Sequence, residues 1–151
     1  MITEQDIFFM REAISQAEEA ALDDEVPVGA VMVRDGEIIA RARNRREKDK
    51  NPLSHAEIKI INDTCRALGG WRLTRCTLYV TLEPCPMCAG AIVNSRIERV
   101  VFGAYDEKAG AFGTMLNLTE YPLYKPDVEG GVLKDECASL LSEFFKKKRA
   151  K

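Results

Sequence analysis

The chain holds a single histidine, His55, and two residues after it an acid, Glu57. Further along, Cys85 and Cys88 form a Cys-x-x-Cys with Pro84 before it and Pro86 inside it. One imidazole and two thiols make three protein ligands, the number a catalytic zinc takes when its fourth position is left to water. Glu57 can stand beside the ion without ligating it. A carboxylate so placed takes a proton from water and passes it to a ring nitrogen or a leaving amine. Two thiolates already neutralise the ion and Glu57 adds a further negative charge. The group therefore suits a neutral substrate that gains a proton, which fits hydrolytic deamination of a heterocyclic base. A lone Cys-x-x-Cys is also compatible with a redox pair. A structural zinc normally takes four ligands, and neither a second histidine nor an adjacent third cysteine is present.

Positioning these side chains needs two helix starts. Residues 54–68 read as a helix with Ser54 as N-cap and Gly69-Gly70 as its end. Thr77-Leu-Tyr-Val-Thr81 reads as a strand, residues 83–86 as a tight turn, and Pro86 as the first position of a helix to Ser95. Cys85 and Cys88 then lie at a helix N-terminus, where free N–H groups and the helix dipole favour thiolate.

Around this pair, residues 3–23 read as a helix capped by Thr3. Its apolar stripe is expected at Ile7, Met10, Ile14, Ala17 and Ala21, with Glu18, Glu19, Asp23, Asp24 and Glu25 as a solvated face. Residues 26–33 and 37–42 flank Asp35-Gly36 as a hairpin. Gly29 inside the first strand suggests a close backbone approach, to a ligand or as a bulge. Residues 44–52 read as a charged loop, 99–104 and 128–133 as strands, and 134–149 as a helix with Cys137, Leu140, Leu141, Phe144 and Phe145 on one side. Strands alternating with helices imply an α/β layer fold with helices on both faces of a mixed sheet.

The 151 residues, without repeat or linker, read as one domain, 1–151. No apolar run approaches the ~20 residues that span a bilayer, and the polar, acidic start does not resemble an export signal. The expected compartment is the cytoplasm, where Cys65, Cys76 and Cys137 read as small buried hydrophobes. The net charge of −2 conceals a tail, Lys146-Lys-Lys-Arg-Ala-Lys151, with five positive charges; without it the chain stands at −7. Such a tail can meet phosphate, or simply end a solvated helix.

At these residues the sequence resembles the zinc-dependent cytidine deaminase-like family of base and nucleoside deaminases, with its His-x-Glu and Pro-Cys-x-x-Cys signature. Within it the likeness is to the bacterial tRNA adenosine deaminases, which make inosine at the wobble position. It extends over Val26-Pro-Val-Gly-Ala-Val31, Asn44, residues 77–91, Ser95-Arg-Ile97, Val101-Phe-Gly-Ala104, Gly131-Val-Leu133 and Phe144-Phe145. The resemblance implies a three-layer α/β/α fold with a mixed five-stranded sheet, and a homodimer. It implies one zinc per chain on His55, Cys85 and Cys88, with Glu57 as proton shuttle. Asn44 would hydrogen-bond the purine and Val28, Ala56 and Leu82 would line its pocket. Phe145 would approach a tRNA anticodon arm, with Lys146, Lys147, Lys148 and Arg149 as further RNA contacts.

Two stretches depart from the family, the first being Leu53-Ser54, where Thr-Ala is usual before the histidine. In the second, residues 121–128, Tyr-Pro-Leu-Tyr-Lys-Pro-Asp-Val, replace a loop that usually carries Phe-Asn-His. This second departure leaves the zinc chemistry alone and moves the substrate question to Tyr124, Lys125 and Phe145. A free base or nucleoside (guanine, adenine, cytosine or a modified purine) is the alternative substrate. A non-catalytic RNA-binding partner subunit is the alternative of another class, and such a subunit would be expected to lack Glu57.

Overall fold

Thr3 and Asp6 open the first helix with a reciprocal capping box: the Asp6 N–H donates to Thr3 Oγ1 and the Thr3 N–H to Asp6 Oδ2, both at 3.1 Å. The computed structural model describes residues 1–150; Lys151, the last charge of the basic tail, lies outside them. Helix α1 (Glu4–Leu22) leads into a hairpin of β1 (Gly29–Arg34) and β2 (Glu37–Arg43), and α2 (Arg46–Asp49) is a single turn. Then come α3 (Ala56–Leu68), β3 (Cys76–Leu82), α4 (Pro86–Ser95), β4 (Arg99–Ala104), β5 (Asp127–Glu129) and α5 (Lys134–Arg149).

The strands form one sheet in the order β2-β1-β3-β4-β5. β1 is antiparallel to β2 and β3, whereas β3, β4 and β5 run parallel. Alternation along the strands divides the core in two. Ala30, Met32, Leu78, Val80, Val100 and Phe102 pack against α3 and α4. Val31, Val33, Tyr79 and Val101 pack against α1 and the start of α5. This is the expected mixed five-stranded α/β/α arrangement, and it carries both α3 and α4 on one face with their N-termini at one end of the sheet.

Several local expectations are corrected. The buried stripe of α1 is Phe9, Met10, Ala13, Ala17 and Ala20, and Ile7 is exposed. The alanines are selected because α1 must approach β1 at Gly29, where any Cβ would overlap the Ala13 carbonyl and the Ala17 amide. The close approach at Gly29 is thus to a helix and not to a ligand; the strand irregularity falls later, between Met32 and Val33. His55, not Ser54, occupies the N-cap of α3. The last strand is Asp127–Glu129, and Leu133 is instead the N-cap of α5, in the left-handed region at φ 52°. Cys76 and Cys137 are buried as expected, while Cys65 is only half-buried. In α5 only Cys137 is buried, with Phe145 exposed.

Candidate active site

β3 ends at Leu82, and the chain turns through Glu83 and Pro84 into α4. Cys85 is the extended N-cap, Pro86 fits the first helical position because it lacks the N–H that would go unpaired there, and Cys88 lies in the same turn. Opposite, His55 is the extended N-cap of α3 and Glu57 lies in its first turn. Neither N-terminus has a side-chain cap. The cap positions are occupied by side chains that turn to each other, and the uncapped N–H groups favour anionic ligands between the two helices.

His55 Nδ1 lies 3.7 Å from Cys85 Sγ and 3.4 Å from Cys88 Sγ. All three donor atoms fall within 4.8 Å of one another. A tetrahedral ion with Zn–N of ~2.0 Å and Zn–S of ~2.3 Å has N···S edges of about 3.5 Å. The two measured edges straddle that value, and one nitrogen with two sulfurs is a donor set suited to zinc. The residues present therefore fit a zinc ion, with a fourth position free of protein ligands.

The electrostatics follow from burial and proximity. The Cys88 thiol hydrogen bond, with that of His55, lowers the Cys85 thiol to about 4 against the cost of burial. Cys88 is pushed up, first by its hydrogen bond to Cys85 and then by burial. The hydrogen bond to Cys85 and the charges of Glu57 and Cys85 raise His55, against burial. Glu57 is 4 % exposed, and burial raises its carboxyl to about 7. A carboxyl poised there can both accept and release protons near neutrality.

These groups form the floor of a cleft of about 230 Å³. Val28, Ala56 and Leu82 form its apolar wall and Asn44 lines it, as the resemblance implies, while Phe145, 43 % exposed, stands at its rim. Cys88 lies wholly buried beneath the floor. The Asn44 carboxamide is held on both sides: Nδ2 donates to the Val26 carbonyl, and Oδ1 accepts from the Arg46 N–H, each at 3.2 Å. One N–H and one lone pair of the amide remain for a ligand.

None of Lys146, Lys147, Lys148 and Arg149 lines the cleft. Lys148 is ion-paired to Asp24 at 2.6 Å and, with Lys147, lines a groove between α1 and α5. Tyr124 and Lys125 do not line the cleft either: the Arg96 guanidinium lies 5.7 Å from the Tyr124 ring centroid, and Lys125 borders a groove beside β5. The reason is topological. Asp127 pairs with Arg99, the first residue of β4, whereas the cleft lies beyond the last residues of β3 and β4.

Sequence reasoning missed Val26, Arg46, Glu83, Asp106 and Ala109, which also line the cleft. Glu83 is 1 % exposed and staples the segment after β4. Its carboxylate accepts the N–H groups of Asp106, Phe112 and Thr114 and the Thr114 hydroxyl at 2.5–3.2 Å. A charged residue between a buried strand and Pro-Cys was the available signal.

Comparison with known proteins agrees with this geometry. Residues 4–149 match the family of MafB19-like deaminases. The chain belongs to that family. A relative named tRNA-specific adenosine deaminase, from Bacillus subtilis, is 53% identical over 149 residues, covering 97% of this chain and 92% of its own. A solved structure from studies of A-to-I editing by tRNA:A34 deaminases superposes with a TM-score of 0.86 at 45% identity, covering 89% of this chain and 99% of that one. The structure of a guanine deaminase from Bacillus subtilis matches at 34% identity and a TM-score of 0.65, covering 83% of this chain and 79% of that one. The chain is a hydrolytic deaminase, and its His-Cys-Cys group and buried glutamate lie together at the cleft. Among the described residues no helix is long and apolar enough to cross a membrane.

Proposed function

We propose that the chain is a zinc-dependent hydrolytic deaminase, one domain over 1–151, that converts adenosine to inosine at the wobble position of tRNA. His55, Cys85 and Cys88 would hold one zinc per chain, which would supply a water acidified to near neutrality. Asn44 orients the purine with its remaining N–H and lone pair. Val28, Ala56 and Leu82 exclude solvent from the ring faces. Glu57 delivers a proton to purine N1 as C6 becomes tetrahedral. The first proton comes from the water whose oxygen bonds to C6; Glu57 then takes the remaining hydroxyl proton and passes it to N6 as the C6–N6 bond breaks, so that C6 keeps the oxygen, water is consumed and ammonia leaves. Such acid–base assistance contributes roughly 10²- to 10⁴-fold.

The observation that carries the polymeric substrate is the mouth of the cleft. It is rimmed by Phe145, whose ring is half in solvent, with the cationic stretch 146–149 following directly, and the segment 121–128 does not close it. A base taken out of its stack enters such a mouth with its backbone outside. The relative named tRNA-specific adenosine deaminase and the tRNA:A34 deaminase structure support the same substrate. We further propose a cytoplasmic homodimer, with Phe145 and Lys146, Lys147, Lys148 and Arg149 near the anticodon arm.

The likeness to a guanine deaminase supports a second reading, a free base or nucleoside in the same pocket. The deciding assay measures inosine formed in an anticodon stem-loop with adenosine at the wobble position, against ammonia released from a panel of free bases and nucleosides. The stem-loop is expected to turn over. An untouched stem-loop beside a consumed free base would transfer the chain to the second reading.

A further inference from the structure

Glu25 was expected on a solvated acidic face, yet it is 1 % exposed. Its carboxylate accepts two backbone N–H groups across the chain: Glu47 donates to Oε1 at 3.0 Å and Lys48 to Oε2 at 2.8 Å. Those are the second and third residues of α2 (Arg46–Asp49), whose own N-cap, Arg45, makes no side-chain cap bond. The N–H of Arg46, the first residue of α2, goes to Asn44 Oδ1 at 3.2 Å. Asn44 and Glu25 together therefore cap three successive N–H groups of a helix only four residues long. A helix of one turn does not persist on its own propensity, because nucleation costs more than one turn returns.

We infer that Glu25 is a positioning residue of the substrate pocket: it holds α2 in place and through α2 fixes the carboxamide of Asn44 at the cleft wall. The two bonds that orient Asn44 run to Val26, next to Glu25 in sequence, and to Arg46, next to the Glu25-capped residues. The Asn44 backbone N–H donates to the Val28 carbonyl at 3.0 Å, which completes a lace between 25–28 and 44–48. With the Glu25 carboxylate removed, the Glu47 and Lys48 N–H groups turn to water and the Arg46 N–H no longer presents a fixed donor. The Asn44 amide is then free to rotate, and a binding group must be held to about 0.5 Å and 10–20° to keep its effect. The inference rests on the reading of Asn44 as the contact to the base.

The test is a double-mutant cycle of Glu25→Gln and Asn44→Ala, read as kcat/KM on the anticodon stem-loop, with bound zinc and far-UV circular dichroism measured for every variant. Coupled residues show non-additive effects, whereas independent ones add. Glu25→Gln alone is expected to lower kcat/KM by roughly tenfold, and by less than about twofold once Asn44 is already alanine. Asp6→Asn, at the other end of the sheet, serves as the control for general destabilisation and is expected to act by the same factor in both backgrounds. Should Glu25→Gln not fold, Glu25→Asp, which keeps the charge and shortens its reach, runs the same cycle. Equal losses from the Glu25 change in both backgrounds, with Asn44→Ala itself damaging, overturn the positioning role and leave the base contact standing. A fully active Asn44→Ala overturns the base contact, and the positioning role with it.

Discussion

Glu57 and Cys85 are the two side chains whose protonation the fold has moved furthest towards use. Burial holds the Glu57 carboxyl near 7, and no salt-bridge partner competes for it among the described residues. Replacing Glu57 with alanine is expected to leave one zinc per chain and lower kcat by roughly 10³-fold, because it removes a proton carrier and no ligand. Metal analysis and single-turnover kinetics check both halves; unchanged turnover would refute the role. Cys85 makes a second prediction. Its thiol lies at about 4, so in protein stripped of metal it is a thiolate at pH 7, whereas Cys88, raised and buried, remains a thiol. Iodoacetamide is expected to modify Cys85 first after chelation and to spare it in the zinc-loaded protein, by peptide mass spectrometry. A first adduct at Cys65 or Cys76 would contradict this order.

At the scale of elements, α1 is tied to the sheet by an ion pair that the sequence pattern concealed. Asp6 is 1 % exposed, and burial alone would raise its carboxyl. Bonds from Arg99 at 2.7 and 2.9 Å, from the Tyr79 hydroxyl at 2.8 Å and from the Thr3 N–H outweigh burial and hold it well below the usual range. A carboxyl lowered on folding contributes stability that is whole above its unfolded value, near pH 4, and is lost as pH falls through the folded one. Asp6→Asn is therefore expected to cost about 3 kcal/mol at neutral pH, the usual penalty for breaking a buried pair. The gap between variant and wild type should narrow as pH falls from about 4 to 2, in thermal melts across that range. A gap that stays constant with pH would mean the cost is packing alone. The four long helices and the five strands were legible because apolar periodicity and turn residues encode them locally, whereas the one-turn α2 lay within what reads as a charged loop. The position of the α1 stripe was not, because it depends on a contact between Gly29 and Ala13 that only the packed helix creates. Glu25 and Glu83 were hidden for a related reason: a carboxylate that caps a distant loop looks, in sequence, like any surface acid.

The whole molecule raises the question of how an acidic protein meets a polyanion. The grouping of His55, Glu57, Cys85 and Cys88 was legible because local spacing sets them on two helix starts. The rim of the cleft was not, since the segment 121–128 had to follow β5 to the other end of the sheet before its distance from the cleft became apparent. With the tail set aside the chain carries −7, a charge that repels phosphate once it comes within the ~8 Å screening length of physiological salt. Attraction must come from cations placed beside the mouth, and Phe145 puts the start of the tail there. Lys148 is committed to Asp24, which leaves Lys146, Lys147 and Arg149 as the described tail cations without such a pair. Changing those three to glutamine preserves length, helicity and the Lys148–Asp24 pair. If each neutralises one phosphate of a single-stranded loop, log kcat/KM for the stem-loop should lose about 2 units of its slope against log salt. Turnover of a free nucleoside, if the wild type shows any, should not change. An unaltered salt slope would return the tail to the simpler role of lysines stabilising the negative end of α5.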